Sequence, residues 1–410
     1  MLSIYNIALQ LYFLFIWAAS LFNKKARLWI EGRKNKNYAA LERSIWFHFA
    51  SLGEFEQGRP VLEKTRELHP GKKIVVTFFS PSGYEIRKNT PLADAVYYLP
   101  LDTAANAKKF IGAINPEIAI FTKYEYWYHF FNKLHRRQTP LYIISGIFRP
   151  KQVFFKWYGG LHRRMLSFVT HFFVQDEQSV QLLQSIGISN ATISGDTRFD
   201  RVWANAQQPK ELPLIERFIQ GKKVFIAGST WPEDEKLLAA LPQIYPDWKF
   251  IIAPHEIGEE KIEKLINLFP QGLVIKYSQL QSHISNLPAG QAGLKSQILV
   301  IDNIGMLSSL YQYGTISYIG GGFGVGIHNT LEAAAFGLPV IFGPNYDRFK
   351  EAKDLVRLEC GFSIKDEAEL QSTVKFLVED EARYTEISQK VKDYVRANTG
   401  ATDAIMKYIG

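Results

Sequence analysis

The stretch ISYIGGGFGVGIHNTLEAAAFGLPVIFGP, residues 316–344, constrains the fold of this chain more than any other. A short apolar run, Ile316 to Ile319, leads into five glycines between Gly320 and Gly326. His328-Asn329-Thr330-Leu331-Glu332, an Ala-rich stretch, Gly337 and a second apolar run, Val340 to Phe342, follow. The order predicts strand, glycine loop, helix, strand. A glycine loop that enters a helix N-terminus offers backbone N–H groups and the positive end of a helix dipole, which suits a phosphate. Glu332, one turn into the helix, is placed to accept hydrogen bonds from a ribose or another sugar. The same glycines also fit a tight βα turn that only permits close packing. The spacing is not G-x-G-x-x-G after a first strand, so no nicotinamide site is expected.

A chain of 410 residues is too long for one ordinary core, and two domains are expected. The lone Cys360 excludes a disulfide framework and a cysteine metal cluster. Charge is unevenly spread. Residues 1–205 hold 27 Lys/Arg against 15 Asp/Glu, a net +12, and the remainder holds 21 against 25, a net −4. The basic half implies an anionic partner or an anionic membrane surface, although a generally solvated basic face gives the same count. No nucleic-acid recognition motif is present, and nucleic acid is not an expected partner.

Residues 2–22 carry no charge, and 21 residues can span a bilayer. Lys24, Lys25 and Arg27 follow at once, which places the body of the protein on the cytoplasmic side. No small-residue cleavage site separates the apolar stretch from the basic run, and no charged segment precedes it, so a signal peptide is disfavoured. Asn6 and Gln10 weaken the span, and a helix lying in the membrane interface is the alternative.

After this segment the first half alternates strands with helices. Strands are expected at 45–50, 73–79, 96–99, 118–122, 141–145 and 172–175, which argues for a parallel α/β sheet. A turn at Ser51-Leu52-Gly53 places Glu54 in the first turn of a helix, where the dipole favours its carboxylate form. Glu54 is then either a base available at neutral pH or an ordinary helix-stabilising residue. Glu125 and Arg198 lie beyond strand ends, where ligands of open α/β sheets gather. The aromatic run Tyr124-Glu125-Tyr126-Trp127-Tyr128 could hold a sugar face or belong to the core.

A polar, Pro-containing connection at 204–222 suggests a domain boundary there. A second alternation follows, with strands at 223–227, 250–253, 298–301, 316–319 and 340–342. Thr230 with Glu233 reads as a capping box. His255 gains interest only from its place at a strand end. Residues 279–297 read as a polar surface insertion. There is no Walker motif, zinc pattern or nucleophile elbow. Two α/β domains with a nucleotide-type loop in the second fit a glycosyltransferase of GT-B architecture, two Rossmann-like domains facing a cleft.

In full, the motifs resemble those of the 3-deoxy-D-manno-octulosonic acid (Kdo) transferases of lipopolysaccharide synthesis. The resemblance rests on His48-Phe49-Ala50-Ser51-Leu52-Gly53-Glu54, Lys123-Tyr124-Glu125-Tyr126-Trp127, Ser145-Gly146, Gly195-Asp196-Thr197-Arg198-Phe199-Asp200, Gly228-Ser229-Thr230, Asp302–Leu307 and His328–Glu332, in family order behind an N-terminal membrane segment. It implies an inverting transfer of Kdo from CMP-Kdo to a lipid A precursor, lipid IVA, at the inner face of a bacterial cytoplasmic membrane. It implies three parts: an anchor at 1–22, an acceptor domain at 23–205 and a CMP-Kdo domain at 206–410. Glu54 matches the family's catalytic base, and Glu125 and Arg198 match residues near the reacting centre. Ser229, Pro254, His255, Ile304, Gly305, Met306, Asn329, Thr330, Leu331 and Glu332 match the segments that hold the donor. No metal or cofactor is expected, CMP-Kdo being a co-substrate. Lys123 replaces the family's first glutamate, Arg198 replaces a lysine, and Ala253-Pro254-His255 lacks an arginine. Removing residues 1–22 should weaken membrane association and spare activity on detergent-dispersed acceptor. The alternatives are a UDP-sugar transferase or epimerase of the same fold, and a non-catalytic, membrane-anchored glycolipid binder.

Overall fold

The structure, a computed structural model, describes residues 1–34, 37–285 and 294–410. The chain divides into two compact units, residues 1–201 with 398–410, and residues 202–397. Each is an α/β unit built on a seven-stranded, all-parallel sheet.

The first unit opens with two helices, α1 (Leu2–Ala19) and α2 (Lys24–Glu31), the second capped by the Asn23 side chain. Among the described residues α1 is the one helix long and apolar enough to cross a membrane, by length and composition. The strands are β1 (Ser44–Phe49), β2 (Lys73–Phe78), β3 (Ala95–Tyr98), β4 (Pro116–Thr122), β5 (Leu141–Gly146), β6 (His171–Val174) and β7 (Ala191–Ile193), in the order β3-β2-β1-β4-β5-β6-β7. Six of the seven were legible as apolar runs. Three-residue β7 is half-exposed and too short to show a period. All six residues of β1 are buried because helices cover both faces. Ile45, Phe47 and Phe49 enter one core cluster and Trp46 enters the other.

Helix α3 (Leu52–Leu68) follows β1 directly. Ser51 caps it by accepting the Glu54 N–H, and Glu54 Oε2 accepts the Ala50 N–H at 2.6 Å. The helix lies against the sheet at Gly58, where a Cβ would sit 2.5 Å from the Phe49 ring and 2.8 Å from Thr122 Oγ1. Only glycine permits that approach.

The second unit contains β8 (Val224–Thr230), β9 (Lys249–Pro254), β10 (Val274–Lys276), β11 (Ile298–Val300), β12 (Ile316–Ile319), β13 (Val340–Phe342) and β14 (Gly361–Ser363), in the order β10-β11-β9-β8-β12-β13-β14. Three-residue β10 and β14 escaped the sequence reading. Within the stretch read as a polar insertion, residues up to Ser285 belong to a helix, Tyr277–Ser285, that buries Leu280. The LPAGQAG piece lies outside the described residues.

The C-terminal helix Ala401–Ile409 belongs to the first unit, whereas the sequence-based division placed all of 206–410 in the second. Ile405 and Met406 pack in the cluster that contains Phe47 and Ile144. Asp200 fastens the helix start: its carboxylate accepts the N–H groups of Gly400 at 2.6 Å and Thr402 at 2.7 Å, and the Thr402 hydroxyl at 2.7 Å. Loss of a helix cap costs about 1–2 kcal/mol. Asp200→Ala should therefore lower the unfolding free energy by about that much in urea titrations, with the C-terminal helix losing amide-exchange protection first. Unchanged stability and protection would show that Asp200 does not hold the helix.

Candidate active site

In the first sheet the strand order reverses beside β1, whose neighbours are β2 on one side and β4 on the other. Ligands of open α/β sheets bind outside the carboxyl ends at such a point. Glu54 follows β1 and Glu125 follows β4, so the topology brings together two carboxylates 71 positions apart in sequence.

Glu54 is held away from water. Burial raises its pKa most, the charge of Glu125 adds to this, and the Ala50 N–H and the charge of Lys123 only partly oppose them. The result is about 7, up from an ordinary 4.5. The helix position alone predicted a favoured carboxylate. Desolvation and the second carboxylate outweigh the dipole, and Glu54 titrates near neutrality instead.

Glu125 is fixed from two sides. Trp127 Nε1–H donates to Glu125 Oε2 at 3.0 Å, and His48 Nε2 meets the same oxygen at 3.2 Å. His48 Nδ1 meets Thr77 Oγ1 at 2.9 Å, and Trp46 Nε1–H donates to that hydroxyl at 2.8 Å. The row is satisfied when Trp46 donates to Thr77, the Thr77 proton goes to His48 Nδ1 rather than to Phe47 O at 3.3 Å, and His48 Nε2–H donates to Glu125. The Trp127 ring stacks on Phe79 at 5.0 Å. Of the aromatic run, Trp127 therefore serves the site, and Tyr126 packs inside against Phe154.

Arg198 is committed to a neighbour. Its Nε donates to Asp196 Oδ2 at 2.9 Å, an Nη lies 2.8 Å from the same oxygen, and its backbone N–H donates to Asp196 Oδ1 at 2.9 Å. Gln57 of α3 donates to Asp196 Oδ1 at 2.8 Å. Burial works to raise the Asp196 pKa, but Arg198 and Lys123 outweigh it and hold the group below the usual carboxylate range. Lys123, which stands where the resemblance expects a glutamate, thus acts electrostatically on both Glu54 and Asp196. Its φ of 62° and that of Ser145, 50°, place two non-glycine residues in the left-handed region at strand ends, where strain collects at functional sites.

In the second unit the order reverses beside β8, and Ser229, also left-handed at φ 55°, lies at its carboxyl end. Pro254 ends β9, and His255 N–H donates to Thr230 O at 2.9 Å. The His255 ring stacks on Trp231 at 4.7 Å and on His328 at 4.4 Å. Trp231 Nε1–H donates to His328 Nε2 at 3.1 Å. Burial, with His255 adding, pushes the His328 pKa down to about 4, so at neutral pH the ring accepts this bond. Trp231 and His328 join this cluster; His328 opens a motif named from sequence, but neither residue was expected to be a site residue. The signal for Trp231 was its adjacency to Thr230.

Two local expectations are corrected. The helix after β8 begins at Pro232 with Trp231 as its N-cap, and Asp234, rather than Glu233, reaches back to the Trp231 N–H at 2.8 Å. Thr230 Oγ1 donates to Glu235 instead. The glycine loop is followed by a single turn, Leu331–Ala334, and several of its N–H groups are already bonded. Gly321 N–H donates to Asp234 Oδ2 at 2.9 Å, and Gly324 and Gly326 N–H both donate to Gly321 O. Asn329 Nδ2 donates to Glu332 Oε1 at 3.0 Å, its Oδ1 accepts the Leu331 N–H at 3.2 Å, and Thr330 is buried. Ile304, Gly305 and Met306 form an irregular turn beyond β11, with Ile304 exposed. The donor-site residues expected from sequence thus lie at or beyond the carboxyl ends of strands of one sheet. Among the described residues no group of three or more His, Cys, Asp or Glu is placed to hold a metal ion.

Comparison with known proteins bears on this arrangement. Residues 23–201 match the family model described as 3-deoxy-D-manno-octulosonic-acid transferase (kdotransferase). The 3-deoxy-D-manno-octulosonic acid transferase of Aquifex aeolicus is 27% identical over 85% of this chain and 90% of its own length. UDP-GlcNAc 2-epimerase from Neisseria meningitidis, solved with UDP-GlcNAc, covers 89% of this chain and 99% of its own at 15% identity, with a TM-score of 0.62. Acinetobacter baumannii MurG covers 89% and 99% at 11% identity, with a TM-score of 0.53. The two structural likenesses establish the two-unit GT-B fold and nothing finer.

The raised Glu54 pKa sets a pH signature. The folded state keeps the Glu54 proton up to about pH 7, while an ordinary carboxyl releases it near 4.5. Stability from this group is full below pH 4.5 and is lost as pH rises through about 7. Glu54→Gln should therefore stabilise the protein more at pH 8 than at pH 5, by on the order of 2 kcal/mol in urea unfolding. An equal effect at both pH values would contradict the assignment.

Proposed function

We propose that this chain, a glycosyltransferase belonging to the Kdo transferase family, moves Kdo from CMP-Kdo onto a lipid A precursor such as lipid IVA. The observation that carries the proposal is the pair Glu54 and Glu125 at the switch point of the first sheet, with Glu54 titrating at about 7. A general base is most effective when its pKa lies near the working pH.

The acceptor hydroxyl attacks the anomeric carbon of Kdo as the bond from that carbon to the CMP phosphate oxygen breaks. Glu54 takes the hydroxyl proton, and CMP leaves with the bonding electron pair. Direct displacement from the opposite face inverts the anomeric centre. Glu125, fixed by Trp127 and His48, orients the acceptor and tunes Glu54. Arg198, bound to Asp196, contributes positive potential rather than a free guanidinium fork. The donor is held by the second unit through Ser229, Pro254, His255, the turn 304–306 and residues 329–332. CMP-Kdo is already activated, so the proposal needs no metal: alignment and proton removal are what the protein supplies.

The acceptor lies on the first unit. The basic character of residues 1–205 suits a phosphorylated glycolipid in an anionic leaflet, and α1 suits attachment to the cytoplasmic face of the inner membrane. The rival reading is a UDP-sugar enzyme of the same fold. CMP displacing bound nucleotide better than UMP supports the first reading, and the reverse supports the rival.

Purified protein, incubated with lipid A precursor and CMP-Kdo generated in place, should yield lipid heavier by one or more Kdo residues in mass spectrometry. Glu54→Gln should still bind CMP and lose turnover by about two orders of magnitude or more. An unmodified lipid with intact enzyme, or wild-type turnover in Glu54→Gln, would overturn the proposal.

A further inference from the structure

Helix α1 is fastened along its side to the first unit. Tyr5 Oη–H donates to Asp102 Oδ2 at 2.6 Å. Asp102 is buried and also accepts the N–H groups of His129 and Phe130, each at 3.0 Å. Asn6 Oδ1 lies 2.7 Å from His129 Nε2. Two turns on, the Tyr12 ring packs edge-on to Trp29 at 5.9 Å and stacks on Phe79 at 6.4 Å. Phe79 in turn stacks on Trp127, whose indole N–H holds Glu125. An unbroken row of rings thus runs from the apolar helix to the carboxylate pair.

Among the described residues the opposite face of α1 is left exposed. Ile4, Ile7, Leu11, Leu14 and Phe15 are all more than half exposed and recur at helical spacing as one stripe. A helix crossing a bilayer must leave the body of the protein along the membrane normal. That would strip Tyr5 from the buried Asp102 and carry Asn6 into hydrocarbon, away from His129, where unsatisfied polar groups are costly. The flanks of the stripe have the composition of a membrane interface. At its N-terminal end Met1 Sδ lies near Gly160, in a segment of sequence whose Trp157 is 90% exposed and whose Tyr158 is half-exposed. At its C-terminal end Phe22 is 93% exposed, and Lys24 and Lys25 are exposed beside it. Amphipathic aromatics at headgroup level and adjacent cations suit an anionic bilayer surface.

We propose that α1 lies flat in an anionic bilayer surface rather than across it, and that its inner face, through Tyr12 and Phe79, forms one wall of the acceptor site. The second half rests on the assignment of the acceptor to the first unit. On this account α1 is part of the enzyme as well as its attachment. Removing residues 1–22 then impairs transfer even to detergent-dispersed acceptor, contrary to the expectation from sequence.

The test uses the full chain with Cys360 replaced by Ala and single cysteines at Ile4, Ile7, Leu11 and Leu14, spin-labelled in phosphatidylethanolamine–phosphatidylglycerol vesicles. A flat helix gives four labels at one depth, just below the phosphates. A spanning helix gives a ramp of about 15 Å from residue 4 to residue 14, at 1.5 Å per residue, and that ramp overturns the proposal. In detergent, Tyr12→Ala should raise the acceptor KM about tenfold and leave the CMP-Kdo KM unchanged. An unchanged acceptor KM removes the wall. Depth is read without turnover, so absence of Kdo transfer by the wild type would refute the functional reading and leave the helix orientation decided.

Discussion

The site depends on two carboxyl groups crowded at one sheet edge. Glu54 and Glu125 follow strands β1 and β4, which are neighbours only because the sheet reverses its order between them. Like charges in a partly desolvated place cannot both ionise freely, and here the cost falls on Glu54. The surroundings maintain that imbalance. The Ser51 cap and Gly58 set α3 tightly against the sheet. The row from Trp46 through Thr77 and His48, with Trp127, gives Glu125 its partners. Arg198 and Lys123 hold a third carboxylate, Asp196, below its usual range, so charge of both signs gathers at this end of the sheet.

The second unit is organised on a different principle. Buried Asp234 accepts Tyr318 Oη–H at 2.7 Å together with the Trp231 and Gly321 N–H groups, and so ties two strand ends and the glycine loop into one body. The stack of Trp231, His255 and His328 extends that body to the end of β9. The result is a preorganised wall of backbone and flat rings, of the kind that binds a nucleotide with little reordering.

The sequence was most informative where local physics decides structure. Long apolar runs such as Ile118–Thr122 became buried central strands, and the Ser51-Leu52-Gly53-Glu54 turn became a capped helix start. It was least informative where distant groups decide. The neutral titration of Glu54 needs Glu125 and burial, neither visible in a first-turn glutamate. The pairing of Arg198 with Asp196 was adjacent in sequence, yet its meaning depends on Gln57 and Lys123. The C-terminal helix returned to the first unit through Ile405, Met406 and a cap from Asp200, a link across 200 residues that no periodicity carries. The one-turn helix after the glycine loop shows how an Ala-rich stretch that reads as a longer helix is cut short by Gly337 at φ 78°.

The central claim is that Glu54 is a carboxyl that titrates at about 7 because burial, with the charge of Glu125 added, disfavours its ionised form. Infrared difference spectra between the wild type and Glu54→Gln isolate the Glu54 carboxyl stretch, which can be followed against pH. The account predicts half-titration at about 7, and a lower midpoint when Glu125 is replaced by Gln. A midpoint at the ordinary carboxyl value of 4.5, or one that does not move on replacing Glu125, would contradict it.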